Sequence, residues 1–232
     1  MGLCSNGLDA PAIFSAEQLN RHFSNTSFDP LIEPVINFIQ EIDGEAEQLP
    51  LFSFSEVTLD HVSAAIDNFS TEARGQDDLP KSVICAAFPV IGQYLLDISN
   101  SSIRESVVPS AWKKSLILAT NKVASPKTMG EMRPIALLCF FSKVLERLMY
   151  LQLNEYVETC SLLDPFQTGY RAGHCTLAQT ILLKLTEDAR AAVERKHVKL
   201  LLLFDFSKAF DTVCHVVLMH KLKILGLSKV RS

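Results

Sequence analysis

The run Val198-Lys199-Leu200-Leu201-Leu202-Leu203-Phe204-Asp205-Phe206 constrains this chain most, because five consecutive large apolar residues lead straight into a carboxylate. Such a run reads as a strand buried on both faces that delivers Asp205 to the edge of a sheet. An unpaired ionised carboxylate there would be costly, so the reading calls for a cation, a metal or a set of donors beside it. After Phe210-Asp211-Thr212-Val213, residues 215 to 225 return to helical spacing, with Gly226 as the stop.

The remaining elements follow from periodicity and punctuation, and the chain contains no internal repeat. Residues 15 to 23 read as a short helix capped by Ser15, and residues 56 to 69 keep helical spacing through Val57, Val62, Ala65, Ile66 and Phe69. A turn is expected from Gly75 to Pro80. Residues 82 to 98 read as a buried helix interrupted by Pro89, too short and too polar at Gln93 and Asp97 for a membrane. Residues 113 to 120 read as a strand followed by a polar loop to Met132. A helix over 143 to 157 is started by Ser142, and another covers 176 to 196. The expected class is α+β, with a small sheet containing the 113 to 120 and 198 to 206 strands.

Composition narrows the function classes. With 48% hydrophobic and 21% charged residues the chain is neither disordered nor collagen-like. Cys4, Cys85, Cys139, Cys160, Cys175 and Cys214 form no C-x-x-C pair, which argues against zinc and for thiols in a reducing compartment. No signal peptide is apparent, so an intracellular, soluble protein is expected, cytoplasmic or nuclear. The opening Met-Gly-Leu-Cys-Ser-Asn lacks the Ser or Thr that a myristoylation signal needs at Asn6. Residues 1 to 80 hold two basic against fourteen acidic residues, a balance of −12, whereas residues 81 to 232 hold twenty basic against twelve acidic, a balance of +8. A basic body behind an acidic leader suits a nucleic-acid binder, although solvated faces would show the same charges.

Leu203-Phe204-Asp205-Phe206-Ser207-Lys208-Ala209-Phe210-Asp211 resembles the first carboxylate motif of reverse transcriptases, in the form used by non-LTR (LINE-like, jockey-type) retrotransposons. Four further matches precede it in the family's order: Trp112-Lys113, Met132 to Leu138, Ser142 to Arg147, and Gln167-Thr168-Gly169-Tyr170-Arg171-Ala172-Gly173-His174-Cys175-Thr176. The resemblance implies the fingers and an incomplete palm of a right-hand polymerase, with the second half of the palm and the thumb missing. It divides the chain into an acidic leader at 1–51, a helical lead-in at 52–111 and a truncated reverse transcriptase domain at 112–232.

The same resemblance implies the roles. Asp205 stands at the first metal-ligating, catalytic position, and the backbone carbonyl of Phe206 at the accessory ligand, for Mg2+ bound as two ions in the complete domain. Phe210 falls where an aromatic under the incoming sugar favours deoxynucleotides, with plain core packing as its other reading. Arg133 matches the arginine that grips the triphosphate, suited by its paired donors. Lys122 stands near the fingers lysine, although its Thr120-Asn121-Lys122 context departs from the usual Pro-Lys. Gln167 and Arg171 belong to a motif near template and nucleotide. Asp211 is read as a turn or cap residue rather than a ligand, and His174 beside Cys175 lacks the geometry of a nucleophile pair.

The family's second carboxylate motif, an aromatic-x-Asp-Asp turn, does not occur in these residues, and Asp77-Asp78 precedes the fingers region. One carboxylate anchors two magnesium ions poorly, so the chain alone is expected not to polymerise DNA. The implied partners are an RNA template, a DNA primer and deoxynucleoside triphosphates, with no membrane. An uncovered palm edge would favour self-association. The other reading is a non-catalytic nucleic-acid-binding or inert remnant of a mobile element.

Overall fold

The computed structural model describes residues 14–24, 35–37, 50–173, 179–206, 209–210 and 212–227. Asn6, His174, Cys175 and Asp211 lie outside them. In chain order the main elements are α1 (Ala16–Ser24), α2 (Leu59–Asp67), α3 (Lys81–Glu105), β1 (Ser115–Asn121), β2 (Met132–Leu138), α4 (Phe140–Thr159), α5 (Gln179–Glu194) and α6 (His215–Ile224).

The core forms where α2, α3 and α4 meet. Thr58 caps α2 reciprocally with His61: the His61 amide donates to the Thr58 hydroxyl and the Thr58 amide to His61 Nδ1, each at 3.3 Å. The helix so started buries Val62, Ala65 and Ile66 against Ile84 and Leu95 of α3 and Phe140, Val144 and Leu148 of α4. Burying side chains of this size is worth about 1.5–3 kcal/mol each relative to exposure. Phe69 meets Phe140 edge to face at 5.4 Å, and Trp112, in a tight helical turn over Ser110–Lys113, stacks on Phe141 at 6.2 Å. Helices α2, α3 and α4 therefore share one core.

Helix α3 is longer than its spacing suggested. It runs 25 residues through Pro89, and by length and composition alone it could cross a membrane. Ile84, Leu95, Ser99 and Ser102 are nonetheless buried in a helically spaced stripe, with the Ser99 hydroxyl donating to the Leu95 carbonyl at 2.7 Å. Val83, Val90, Tyr94 and Ile98 are exposed.

An extended strap over residues 50–57 is held by side-chain amides instead of a sheet. Asn100 of α3 accepts from the Val57 amide at 2.8 Å and donates to its carbonyl at 3.0 Å. Gln152 of α4 does the same for Ser55, at 2.9 and 3.0 Å. The Phe52 amide then donates to the Gly226 carbonyl at 2.8 Å, and the Tyr156 hydroxyl lies 2.8 Å from the Pro50 carbonyl and 2.6 Å from that of Leu225. The end of α6 is thereby tied to the strap and to α4.

The sheet among the described residues differs from expectation. It is a two-stranded antiparallel hairpin in which β1 pairs with β2, Thr120 facing Arg133 and Leu116 facing Leu137. The second strand is thus 132–138. The spacing predicts only a loop as far as Met132, whereas the structure begins a strand there; Pro134 is accommodated because each strand of the two-stranded sheet is an edge, where a residue without a ladder donor is tolerated. Residues 198–206 are neither strand nor helix, and they are exposed, with Leu203 at 85% and Phe204 at 82%. An apolar run becomes a strand only when a neighbour completes its ladder, and no described segment pairs with this one. Ser142 is likewise a buried residue inside α4, whose N-cap is Cys139. Ser15 does cap α1, accepting from the Gln18 amide at 3.2 Å.

Several helix ends share one device. Ser106, Ser161, Lys196 and Gly226 all take left-handed backbone, with φ of 57°, 52°, 55° and 84°. Each is followed by a residue whose amide reaches back five positions: Val107 to Ser102, Leu162 to Val157, His197 to Ala192 and Leu227 to Leu222. This is the Schellman closure, and only Gly226 advertises it in the sequence.

Gly75 makes the closest backbone approach. A Cβ there would lie 2.5 Å from the Cys139 nitrogen and the Leu138 carbonyl, at the joint between β2 and α4. Gly75→Ala is expected to destabilise the chain by about 1–3 kcal/mol, read as a lowered midpoint in urea. Ser161→Gly, which removes the left-handed penalty at a larger entropy cost, is expected to raise stability by about 0.5–1 kcal/mol in the same assay. The turn before β2 offers a pH test. The Glu131 carboxylate accepts from the Lys127 and Thr128 amides at 2.6 and 3.1 Å, which holds its pKa below the usual carboxylate value. A lowered folded pKa adds stability above the unfolded value that is lost as pH falls through the folded one. The thermal advantage of the native chain over Glu131→Gln should therefore be present at neutral pH and vanish in acid.

Candidate nucleotide and template site

Three segments carry the residues singled out in sequence. The first is the hairpin. Thr120 faces Arg133 across the ladder, and Lys122 follows two residues on, so strand alternation assigns Lys122 and Arg133 to one face. Lys122 continues the pairing, its amide donating to the Glu131 carbonyl and its Nζ to the Gly130 carbonyl, both at 2.8 Å. Arg133 is exposed; its backbone pairs with Thr120 in the ladder, its carbonyl also accepts from the Thr120 hydroxyl at 3.3 Å, and its guanidinium has no hydrogen-bond or ion-pair partner among the described residues. Because only Cys139 separates β2 from α4, the hairpin is a direct continuation of the core helix.

The second segment is the loop after α4. Asp164 opens it by accepting from the Phe166 amide on its side chain at 2.7 Å and from the Gln167 amide on its carbonyl at 2.9 Å. Gln167 is exposed. Arg171 closes the loop: Nη2 and Nε donate to the two carboxylate oxygens of Glu158, in the last turn of α4, at 2.7 and 3.1 Å. Nη1 reaches the Asp164 carbonyl at 3.4 Å. The Arg171 side chain is only 15% exposed, and bonding to Glu158 holds its proton more tightly than usual. Lys184 of α5 sits 4.2 Å over the Phe166 ring, which links that helix to the loop.

The third segment runs from 198 to 210. Asp205 and Phe206 are exposed, and Asp205 has no hydrogen-bond or ion-pair partner among the described residues. Lys199 pairs with Asp188 of α5 at 3.2 Å. Phe210 is 75% exposed, so the core-packing reading of that ring does not hold. Its ring meets Tyr170 edge to face at 5.7 Å and 87°. The structure therefore joins the second and third segments through Tyr170 and Phe210. No hydrogen bond or ion pair among the described residues joins either of them to Lys122 or Arg133.

Glu158 and Tyr170 were not singled out in sequence. Tyr170 lay inside a quoted motif without a role, and Glu158 stands thirteen residues from Arg171, a separation that no helical or strand period connects.

A metal requires more than these residues offer. No group of three His, Cys, Asp or Glu side chains among the described residues lies close enough to hold an ion. Magnesium is anchored by carboxylates around an otherwise hydrated shell, and one exposed carboxylate with a neighbouring carbonyl does not make a site for two ions. Asp205 and the Phe206 carbonyl by themselves do not fit the pair.

Comparison with known proteins agrees with the resemblance read from the sequence. The family described as "Reverse transcriptase (RNA-dependent DNA polymerase)" matches residues 122–230. The chain is 29% identical over 226 residues to the RNA-directed DNA polymerase from mobile element jockey of Drosophila melanogaster, covering 97% of this chain and 24% of that protein. It is 27% identical over 226 residues to a probable RNA-directed DNA polymerase from transposon X-element of the same organism, covering 95% of this chain and 24% of the relative. A third relative, from transposon BS of the same fly, is 35% identical over 133 residues, covering 57% of this chain and 14% of that protein. The chain thus spans about a quarter of the length of the first two relatives. The family match and the relatives converge, and residues 122–230 belong to the reverse transcriptase family in its non-LTR retrotransposon form.

Proposed function

We infer that the chain is part of a retrotransposon RNA-directed DNA polymerase and contributes its triphosphate-gripping hairpin, its template-side loop and the first carboxylate of its metal site. The observation that carries this reading is the hairpin, which assigns Lys122 and Arg133 to one face and continues directly into the core. A planar guanidinium on a rigid strand presents paired donors to phosphate oxygens, and an ammonium beside it adds charge. Phe210, exposed beside Tyr170, is free to meet a sugar. Gln167, exposed on the braced loop, is available to template or nucleotide.

Reverse transcriptases generally use Mg2+. Nucleotidyl transfer on two ions draws on several carboxylates, of which these residues hold Asp205. The 232-residue chain on its own is therefore proposed to bind single-stranded nucleic acid and triphosphate without extending a primer. The proposed partners are an RNA template, a DNA primer and deoxynucleoside triphosphates. The exposed 198–206 run is the proposed place for a completing strand, and in its absence for self-association.

Primer extension and RNA binding on the purified chain test both halves. Binding is expected to be independent of sequence and to weaken roughly twentyfold between about 50 and about 200 mM salt, as for about three neutralised phosphates on a single strand. Arg133→Ala should weaken triphosphate binding more than Arg147→Ala. Absence of any salt-sensitive binding overturns the nucleic-acid reading. Metal-dependent incorporation that Asp205→Asn abolishes overturns the claim that further carboxylates are required.

A further inference from the structure

We propose that Glu158 and Arg171 act as positioning residues, an ion pair that sets the ring of Tyr170 against Phe210 and so places the ring assigned to the incoming sugar. The inference rests on the polymerase reading for the role of Phe210, and on geometry for everything else.

The path is short and made of specific contacts. Helix α4 ends in a Schellman closure at Ser161, with the Ser161 amide donating to the Glu158 carbonyl at 3.1 Å and the Leu162 amide to Val157 at 3.0 Å. That closure fixes the last helical turn, and Glu158 with it. The chain then departs through the Asp164 turn and returns at Arg171, whose fork meets both Glu158 oxygens while its third nitrogen reaches the Asp164 carbonyl. One side chain thereby ties the entry of the loop, its exit and the helix it left. A bidentate guanidinium–carboxylate pair fixes orientation as well as distance, which a lysine could not do.

Tyr170 immediately precedes this knot and takes a left-handed backbone, φ 62°. A tyrosine adopts that region only when its surroundings impose it. The consequence is that the Tyr170 ring, though 86% exposed and so not placed by packing, stands at 5.7 Å from Phe210. Phe210 is itself exposed and has no core to hold it. The ring contact that Phe210 makes is with Tyr170, and Tyr170 adjoins Arg171, whose side chain is fixed on Glu158 and Asp164.

The test uses the whole 232-residue chain with Tyr and Phe rings selectively labelled. The ring-to-ring nuclear Overhauser effect between Tyr170 and Phe210 is measured beside helical circular dichroism and a thermal melt. In Glu158→Gln and in Arg171→Lys the cross-peak is expected to fall at least severalfold with helical content unchanged. The exchanged pair, Glu158→Arg with Arg171→Glu, should restore it, because a correct ion pair is then present again. An undiminished cross-peak in both single variants overturns the proposal. So does a cross-peak lost in all three variants, which would make each residue structural on its own account. Saturation transfer from the chain to dATP and to ATP reports the reading beneath it. Equal transfer to both with the cross-peak intact strikes the sugar-facing role of Phe210 and leaves the positioning relation standing.

Discussion

Apolar burial in the first turns of α4 is what the remainder of the structure depends on. Phe140, at 1% exposure, with Val144 and Leu148, receives α2 from one side and α3 from another. Because one residue separates β2 from that helix, the hairpin with Lys122 and Arg133 inherits its position from this core. Because Gln152 and Tyr156 lie further along the same helix, the strap and the end of α6 are attached to it as well. Glu158, in its last turn, fixes the loop that carries Gln167 and Arg171. Each candidate functional segment except 198–210 is thus tied directly to α4, and that one reaches the loop after α4 through Phe210 and Tyr170.

The second organising constraint is that backbone groups away from water need partners. At buried Val57, where a sheet would ordinarily supply them, the Asn100 side-chain amide offers one donor and one acceptor, and Gln152 repeats the arrangement at exposed Ser55. Helix ends meet the same demand by turning left-handed, at Ser106, Ser161 and Lys196 as readily as at Gly226. These solutions let the chain enclose its helices with a sheet of only two strands among the described residues.

Much of the fold was legible. The helices at 59–67, 140–159, 179–194 and 215–224 lie within a few residues of their expected positions, since apolar spacing reports a hydrogen-bond pattern that is local. Strand β1 was legible for the same reason of alternation and flanking polarity. The partner strand at 132–138 was hidden by Pro134, and the α4 cap by a Cys139 that offers no side-chain hydrogen bond. The 198–206 run was misread because leucines in series specify burial without naming a neighbour. At the site, residue types were legible and partners were not. Arg171 was read toward nucleotide, and its fork in the structure meets Glu158.

The sequence by itself determined the family, through five ordered motifs ending at Asp205, and the helical framework, because an i to i−4 ladder needs only the residues it contains. Tertiary structure alone decided which strands pair, where Arg171 is spent and which ring meets Phe210. Those contacts join positions whose separations, such as the thirteen residues from Glu158 to Arg171, follow no secondary-structure period. They exist only once burial at α4 has brought the segments together.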